Sequence, residues 1–271
     1  MAYTEPTDVL RQTLIGHLLA KDWGTVMDLV TLTEGERAGN KITLWVAQRS
    51  TADDVDGAVV TFDEDNTSVS LTCADKIISH HWTSSEYQTV LKQNRIPALL
   101  KMDADALGIL METALDTLLT SNTNTQALAT DNTITLAEFN TAVTTLMKYG
   151  VDPRDMVFWT GQAGAASILT NAGANTGGSV GELRGPAIYL HGGQIPVYVS
   201  AQCTISASTN GAAGYLFAKQ GVLAGINVGQ VNAPQPMGPA FGGIGMSMEL
   251  SYAFGFPEGV GDPRTVKLIN P

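Results

Sequence analysis

Residues 41–119 constrain the fold most strongly, because they combine two alternating arms, an acidic connection and a long helix. Alternation of apolar and polar residues predicts two half-buried strands. Their apolar positions are Ile42, Leu44, Val46, Val69, Leu71 and Cys73. The connection, residues 48–68, is too acidic for a core. An arm of this reach buries little within its own subunit, so we expect a neighbouring chain to lie under it.

The chain carries few charges for its length. Only 15% of its 271 residues are charged, against about 25% in ordinary soluble domains. A surface so poor in charge is weakly solvated, and we therefore expect much of it to face other protein. The net charge of −11 argues against tight coating of nucleic acid, which requires clustered Lys and Arg.

Neither a membrane span nor an export signal is expected. No run approaches about eighteen consecutive apolar residues, and the first residues lack a basic stretch followed by an apolar one.

Cys73 and Cys203 are distant in sequence and sit in apolar, strand-like surroundings. They are typical of reduced thiols in a protein that folds in the cytosol, with a single disulfide as the alternative.

The clearest helix is predicted over residues 97–119, where Pro97 occupies a favourable first position. Its apolar residues recur at helical spacing and predict a broad buried stripe. The predicted core positions are Leu100, Leu107, Leu110, Met111, Leu115 and Leu118. The polar residues 121–133 that follow predict a domain boundary.

Near the amino terminus, an apolar face from Val9 to Leu18 predicts a helix that packs on its own core or on a neighbour.

Helices and strands alternate beyond this boundary. Thr135 and Glu138 have capping-box spacing, and Gly150 can end the helix that they open. The predicted buried face of that helix is Leu136, Phe139, Val143 and Leu146. Strands are predicted at 23–32, 156–159, 187–190, 195–199, 215–218, 222–228 and 246–254, and a helix at 161–169. Glycine and proline predict a turn at 34–40 and irregular structure at 231–245.

The sequence contains no residue constellation typical of an enzyme. Gly161 and Gly164 resemble part of a dinucleotide-binding loop, but the third glycine and the downstream acidic residue are missing. No phosphate-binding loop or nucleophile-elbow motif occurs. His80 and His81 would point to opposite faces of a strand, which suits a shared metal poorly. We therefore expect no catalytic residues, no cofactor and no metal.

The acidic connection instead predicts contacts between copies of the chain. Its carboxylates are Asp53, Asp54, Asp56, Asp63, Glu64 and Asp65. A flexible polar segment cannot hold a desolvated catalytic pair, so these residues are either a solvated tip or partners of cations on an adjacent copy. The candidate cations are Arg95, Lys101, Arg154 and Arg184. Each exposed pair would contribute about 1 kcal/mol or less.

In their order along the chain, these segments resemble the major capsid proteins of tailed bacteriophages with the HK97 fold. The resemblance covers essentially the whole chain. It rests on the helix at 97–119, the helix, turn and strand at 135–150, 151–155 and 156–159, the Gly-x-Pro-Val-like segment at 192–200 and the closing strand at 245–254.

This resemblance implies an α+β HK97-like capsid fold with four parts. These are an N-terminal arm (1–19), a peripheral domain (20–129) that includes an extended loop (about 47–68), an axial domain (130–230) and a return to the peripheral domain (231–271). It implies a non-enzymatic shell subunit of a virion, which assembles in the host cytoplasm around phage double-stranded DNA without binding that DNA tightly. The implied partners are further copies in pentamers and hexamers, a scaffolding protein, a portal and a cement protein.

Two other functions stay open. An encapsulin-like nanocompartment shell would use the same fold and an inner groove for cargo. A small-molecule enzyme would use the α/β stretch 133–230, although no convergent polar set indicates a pocket there.

Overall fold

The computed structural model describes residues 9–10, 12–13, 32–34, 36–47, 66–171, 175–176, 188–190, 195–206, 208–237 and 243–271. Its helices are α1 (Ser84–Lys92), α2 (Ile96–Thr120), α3 (Leu136–Lys148) and α4 (Gln162–Asn171). Its strands are β1 (Leu32–Glu34), β2 (Glu36–Ala38), β3 (Lys41–Ala47), β4 (Asn66–Thr72), β5 (Ala74–Trp82), β6 (Thr125–Ala127), β7 (Met156–Thr160), β8 (Asn175–Thr176), β9 (Ile188–Leu190), β10 (Ile195–Val199), β11 (Ala212–Ala218), β12 (Leu223–Pro236), β13 (Ile244–Gly255) and β14 (Thr265–Ile269).

The strands form three sheets. The first sheet has the order β1-β12-β13-β5, and the second has the order β6-β14-β11-β7-β10-β9-β8. The third, which we call the arm sheet, has the order β2-β3-β4. The last strand, β14, lies in the second sheet beside β11, whereas β12 and β13 lie in the first. Sheet membership therefore does not coincide with the division at residue 231, and the four-part domain scheme stays a prediction.

The two faces of the second sheet pack against different helices. On β7, Met156 and Phe158 belong to a core cluster with α3 and α4, whereas Val157 and Trp159 belong to a cluster with α2. This alternation follows from the two-residue period of a strand. The α2 cluster also includes Met248 and other residues of the first sheet. Helix α2 is thus the element that joins the two sheets in one core.

The predicted long helix is confirmed, and four of its six predicted core positions are buried. Leu100, Leu107, Met111 and Leu115 are at most 1% exposed. Leu118 is half-buried, and the prediction for Leu110 is wrong because its side chain is 39% exposed. The predicted stripe is wider than the area that the sheets can cover, since they contact α2 from one side only.

The two predicted arms are confirmed as β3 and β4, which pair with Ile42 opposite Leu71 and Leu44 opposite Val69. The expectation that they bury little in their own subunit is wrong for the base of the arm. Ile42 and Leu44 are 0% and 4% exposed and pack against Ala253 of β13. A Cβ atom on Gly225 of β12 would lie 2.8 Å from Ile42, so the missing side chain permits this close approach.

The capping predictions for α3 are confirmed, with one error in its buried face. Thr135 and Glu138 form a capping box, and Gly150 has a φ of 79°. The pKa of Glu138 is lowered although burial opposes its charge, because Thr135 and the amide of Ala129 hydrogen-bond its carboxylate. Phe139, Val143 and Leu146 are buried, but Leu136 is 47% exposed, because it is the first residue of the helix and lies outside the core cluster that the others join.

Several other segments differ from the sequence predictions. Strand β2 occupies part of the predicted turn at 34–40. Strand β12 continues to Pro236 through the segment expected to be irregular. It does so with register shifts near Val231 and Gln235, which accommodate residues that do not fit a regular ladder. The predicted strand at 23–32 lies outside the described residues except for its last position.

A buried carboxylate organises the turn that carries the chain from the first sheet to the second. Asp262 is fully buried and accepts hydrogen bonds from Arg264 Nε at 2.9 Å, from Arg264 Nη2 at 2.8 Å and from the Glu258 amide at 3.2 Å. Burial opposes the charge of Arg264, but its bonds to Asp262 and the charge of Glu258 outweigh this effect and raise the pKa of the guanidinium.

Replacing the buried aspartate should destabilise the subunit strongly. Asp262→Ala leaves Arg264 without its main partner, and we expect a loss of about 3–5 kcal/mol in the free energy of unfolding. Urea denaturation of the unassembled subunit measures this value. Glu258→Ala is the matched control, because the Glu258 side chain is 54% exposed and its pair should contribute less than about 1 kcal/mol. Equal losses for the two variants would contradict this account.

Two leucines of α2 should respond differently to the same substitution. Leu115→Asp places an unpaired charge in the core and should destabilise by several kcal/mol, on the order of 4 or more, so that the subunit becomes largely insoluble. Leu110→Asp should change the stability by less than about 1 kcal/mol, because Leu110 is at the surface. Soluble yield and circular dichroism compare them, and comparable loss of structure in both would show that the assigned faces of α2 are wrong.

Candidate assembly surface

Polar contacts fix the amino-terminal half of α2 to the first sheet. His80 Nε2 on β5 lies 2.8 Å from Asp103 Oδ2 on α2. The His80 ring stacks on Trp82 with the centroids 5.5 Å apart. Asp103 is buried, so this contact satisfies a carboxylate inside the interface. The pair did not emerge from the sequence, because the two residues lie in different elements.

A second set of contacts fixes the carboxyl-terminal half of α2 to the second sheet. Ser200 Oγ donates to Glu112 Oε2 at 2.5 Å, and the Thr204 amide donates to Asp116 Oδ1 at 3.0 Å. One turn further on, the hydroxyls of Thr120 and Tyr215 lie 2.8 Å apart. The helix is therefore held at a fixed rotation about its axis, which determines the side chains that it exposes.

The same environment makes Cys203 a poor nucleophile. Burial and the nearby carboxylates of Asp116 and Glu112 raise the pKa of its thiol far above the usual range. The reactive form of cysteine is the thiolate, which is suppressed here. Cys73 and Cys203 are both thiols, as predicted from the sequence.

The exposed side of α2 carries apolar side chains. We call Met102, Ala106, Ile109 and Leu110 the α2 stripe. Met102 is 65% exposed and Ile109 is 52% exposed. The stripe continues into Thr113 and Thr117, whose hydroxyls donate to the carbonyls of Ile109 and Thr113. Thr113 also donates to Gln202 Oε1 at 3.3 Å, so the apolar part of this surface is the two turns from Met102 to Leu110. A patch of this kind is typical of a contact surface.

The predicted contact residues fall into two groups. Arg95, Lys101 and Arg154 are exposed, and the described part of the chain offers them no acidic partner. Arg95 immediately precedes α2 and Lys101 lies in its second turn, whereas Arg154 lies in a short turn (Pro153–Asp155) before β7. Arg184 and the six acidic residues of the connection lie outside the described residues. Their proposed pairing therefore stays a prediction.

The described grooves lack a convergent catalytic set. A shallow groove of about 340 Å³ between α2 and the first sheet is lined by Leu118, Tyr252 and Phe254, with hydroxyls but no charged side chain. Another, of about 370 Å³, lies beside His80 and His81. No three His, Cys, Asp or Glu residues within the described ranges are grouped as metal ligands would be. None of the described helices is long and apolar enough to cross a membrane.

Solved phage capsid structures share this arrangement of helices and sheets. The capsid of Ralstonia phage GP4 has a TM-score of 0.58 at 8% identity, covering 89% of this chain and 86% of that one. The capsid of cyanophage P-SCSP1u has a TM-score of 0.55 at 10% identity, with coverages of 90% and 86%. The chain has the fold of phage capsid proteins.

A further capsid match spans the whole chain. The capsid of the native GTA particle matches with a TM-score of 0.53 at 10% identity, covering 100% of this chain and 92% of that one. The sequence itself matches no protein-family model and no curated protein. The predicted α+β class and the resemblance to HK97-like capsid proteins are confirmed at the level of fold.

Proposed function

We propose that this protein is a major capsid protein that self-assembles into the icosahedral head of a tailed phage around double-stranded DNA. The observation that carries the proposal is the capsid fold, which covers about nine tenths of this chain and of the phage capsid chains that it matches. The work of such a subunit is structural rather than enzymatic. Its strength comes from many repeated interfaces between identical copies.

The charge distribution supports this function. An acidic wall of net charge −11 repels the phosphates of packaged DNA and so contains the DNA without adhering to it. The low content of charged residues and the exposed apolar α2 stripe fit a subunit whose surface is largely covered after assembly. We place the protein in the virion, after assembly in the host cytoplasm as pentamers and hexamers. Scaffolding, portal and cement proteins are its proposed partners.

Electron microscopy tests the proposal directly. The purified full-length chain should elute as large particles in size-exclusion chromatography and appear as closed shells of uniform diameter in negative stain. Phage heads enclose DNA, so particles from infected cells should contain nuclease-protected double-stranded DNA. Shells that contain a protein cargo instead of DNA would favour the encapsulin-like alternative. A monodisperse small oligomer would reject both shell functions.

The acidic connection is proposed to contact a neighbouring copy. The base of the arm packs on the face of the first sheet opposite to α2. In a shell one subunit thick, the arm then crosses its neighbour on that same side. Arg95 and Lys101, at the start of α2, are therefore the less favoured partners among the four candidate cations.

Deleting Asp53–Asp65 should leave a folded, soluble subunit that assembles poorly, because the contacts of this segment are between chains. Replacing Asp63, Glu64 and Asp65 with Lys should also reduce the yield of shells about tenfold or more. A compensating Arg154→Glu should restore part of that yield if Arg154 is a partner, and Arg95→Glu should not. Light scattering measures shell formation, and normal shells from the deletion variant would contradict the proposal.

A further inference from the structure

The α2 stripe and the arm sheet lie on opposite sides of the first sheet. On β13, Met248 and Leu250 face the core of α2, whereas Ala253 faces Ile42 and Leu44 of the arm base. In the shell of the proposed function, on which this step rests, arms cross neighbouring subunits on one surface. The α2 stripe then points to the other surface, where these arms do not cover it.

The shape of the stripe suits a helical partner. Its members recur at positions i, i+4, i+7 and i+8 of one helix face, and their exposed side chains form a ridge about 12 Å long at 1.5 Å per residue. Ala106, the small residue of the stripe, is exposed one turn after Met102. An amphipathic helix that lays its apolar face along such a surface is a recurring mode of recognition.

The charges beside the stripe favour an acidic partner. Lys92, Arg95 and Lys101 are exposed around the amino-terminal end of α2, and none of them has an acidic partner among the described residues. Of the nearby carboxylates, Glu112 is engaged by Ser200 and Asp103 by His80, which leaves the half-buried Asp105 set against three exposed cations. In a parallel stripe-to-stripe arrangement, a second copy would bring these cations towards one another, which opposes that mode of self-association. The phosphates of DNA could pair with the cations, but DNA would leave the four apolar side chains without an apolar partner.

We propose that the α2 stripe is the docking site for an acidic amphipathic helix of a separate assembly partner. The apolar face of that helix covers Met102, Ala106, Ile109 and Leu110. Its carboxylates meet Lys92, Arg95 and Lys101 at the rim. The rim charges set specificity and the rate of association, and the apolar contact supplies most of the affinity.

A synthetic peptide tests this site on the full-length chain. The probe is a labelled peptide of about 20 residues, long enough for five to six helical turns, with Leu on one face and Glu on the other. Its twin carries Lys in place of Glu, and a short DNA duplex is the competitor. Fluorescence anisotropy should show saturable binding of the Glu peptide, and the Lys twin should bind at least about tenfold more weakly.

Variants assign the binding to the stripe. The double variant Met102→Gln/Ile109→Gln should weaken the binding of the Glu peptide about tenfold or more. The double variant Arg95→Glu/Lys101→Glu should weaken this binding by a similar factor and should also reduce its dependence on salt concentration. Met147→Gln on α3 is the matched control, because Met147 is 48% exposed on a different helix, and it should leave binding unchanged. Absence of saturable binding, equal binding of the Lys twin, displacement by DNA or an equal effect of Met147→Gln would each overturn the proposal.

Shell formation is scored separately on the same preparations. A wild-type chain that binds the Glu peptide but forms no shells would reject the proposed function and leave the docking site standing. A chain that forms shells but shows no specific peptide binding would reject the site alone.

Discussion

The structure depends on the burial of one side of α2 against two sheets at once. Leu100, Leu107 and Met111 are withdrawn from water in a core that contains residues from both sheets. At roughly 25 cal/mol per Å² of buried apolar surface, the burial of these side chains stabilises the packing of both sheets on α2. The polar contacts of Asp103, Glu112 and Asp116 fix the orientation of α2, because they form at only one rotation of the helix about its axis.

The fixed rotation explains why α2 has two apolar sides with different roles. The side that faces the sheets is filled by residues with almost no exposed surface, whereas Met102 and Ile109 are left in contact with solvent. An isolated helix sequence does not distinguish these two sides, since both are apolar. The distinction arises from the position of the sheets, and it turns the exposed side into a candidate contact surface of the proposed shell.

Much of the local structure could be predicted from the sequence. Pro97 and the capping pair Thr135 and Glu138 placed two helices correctly, because these signals act over a few residues. The alternation at Ile42 and Leu44 placed β3 for the same reason. The error at Leu110 has a different origin, since its burial depends on how far distant strands extend around α2.

Contacts between distant segments could not be predicted. His80 and Asp103 are 23 residues apart, and Ser200 and Glu112 are 88 apart. No periodic pattern connects such residues, so only the fold reveals that they meet. The turn at Asp262 was missed because an Asp followed by Pro and Arg is typical of an ordinary loop, although here it joins two sheets.

The close approach at Gly225 determines how the arm is mounted. The side chains of Ile42 and Leu44 on β3 rest directly on the backbone of β12 at Gly225, which has no side chain of its own to hold them off. Any side chain at this position would wedge the two strands apart and tilt the root of the arm. A small tilt at the root grows with distance along the ribbon, so its outer end would be displaced by far more than the wedge itself. The absence of a side chain at Gly225 thus determines the direction in which β3 and β4 leave the core of the subunit.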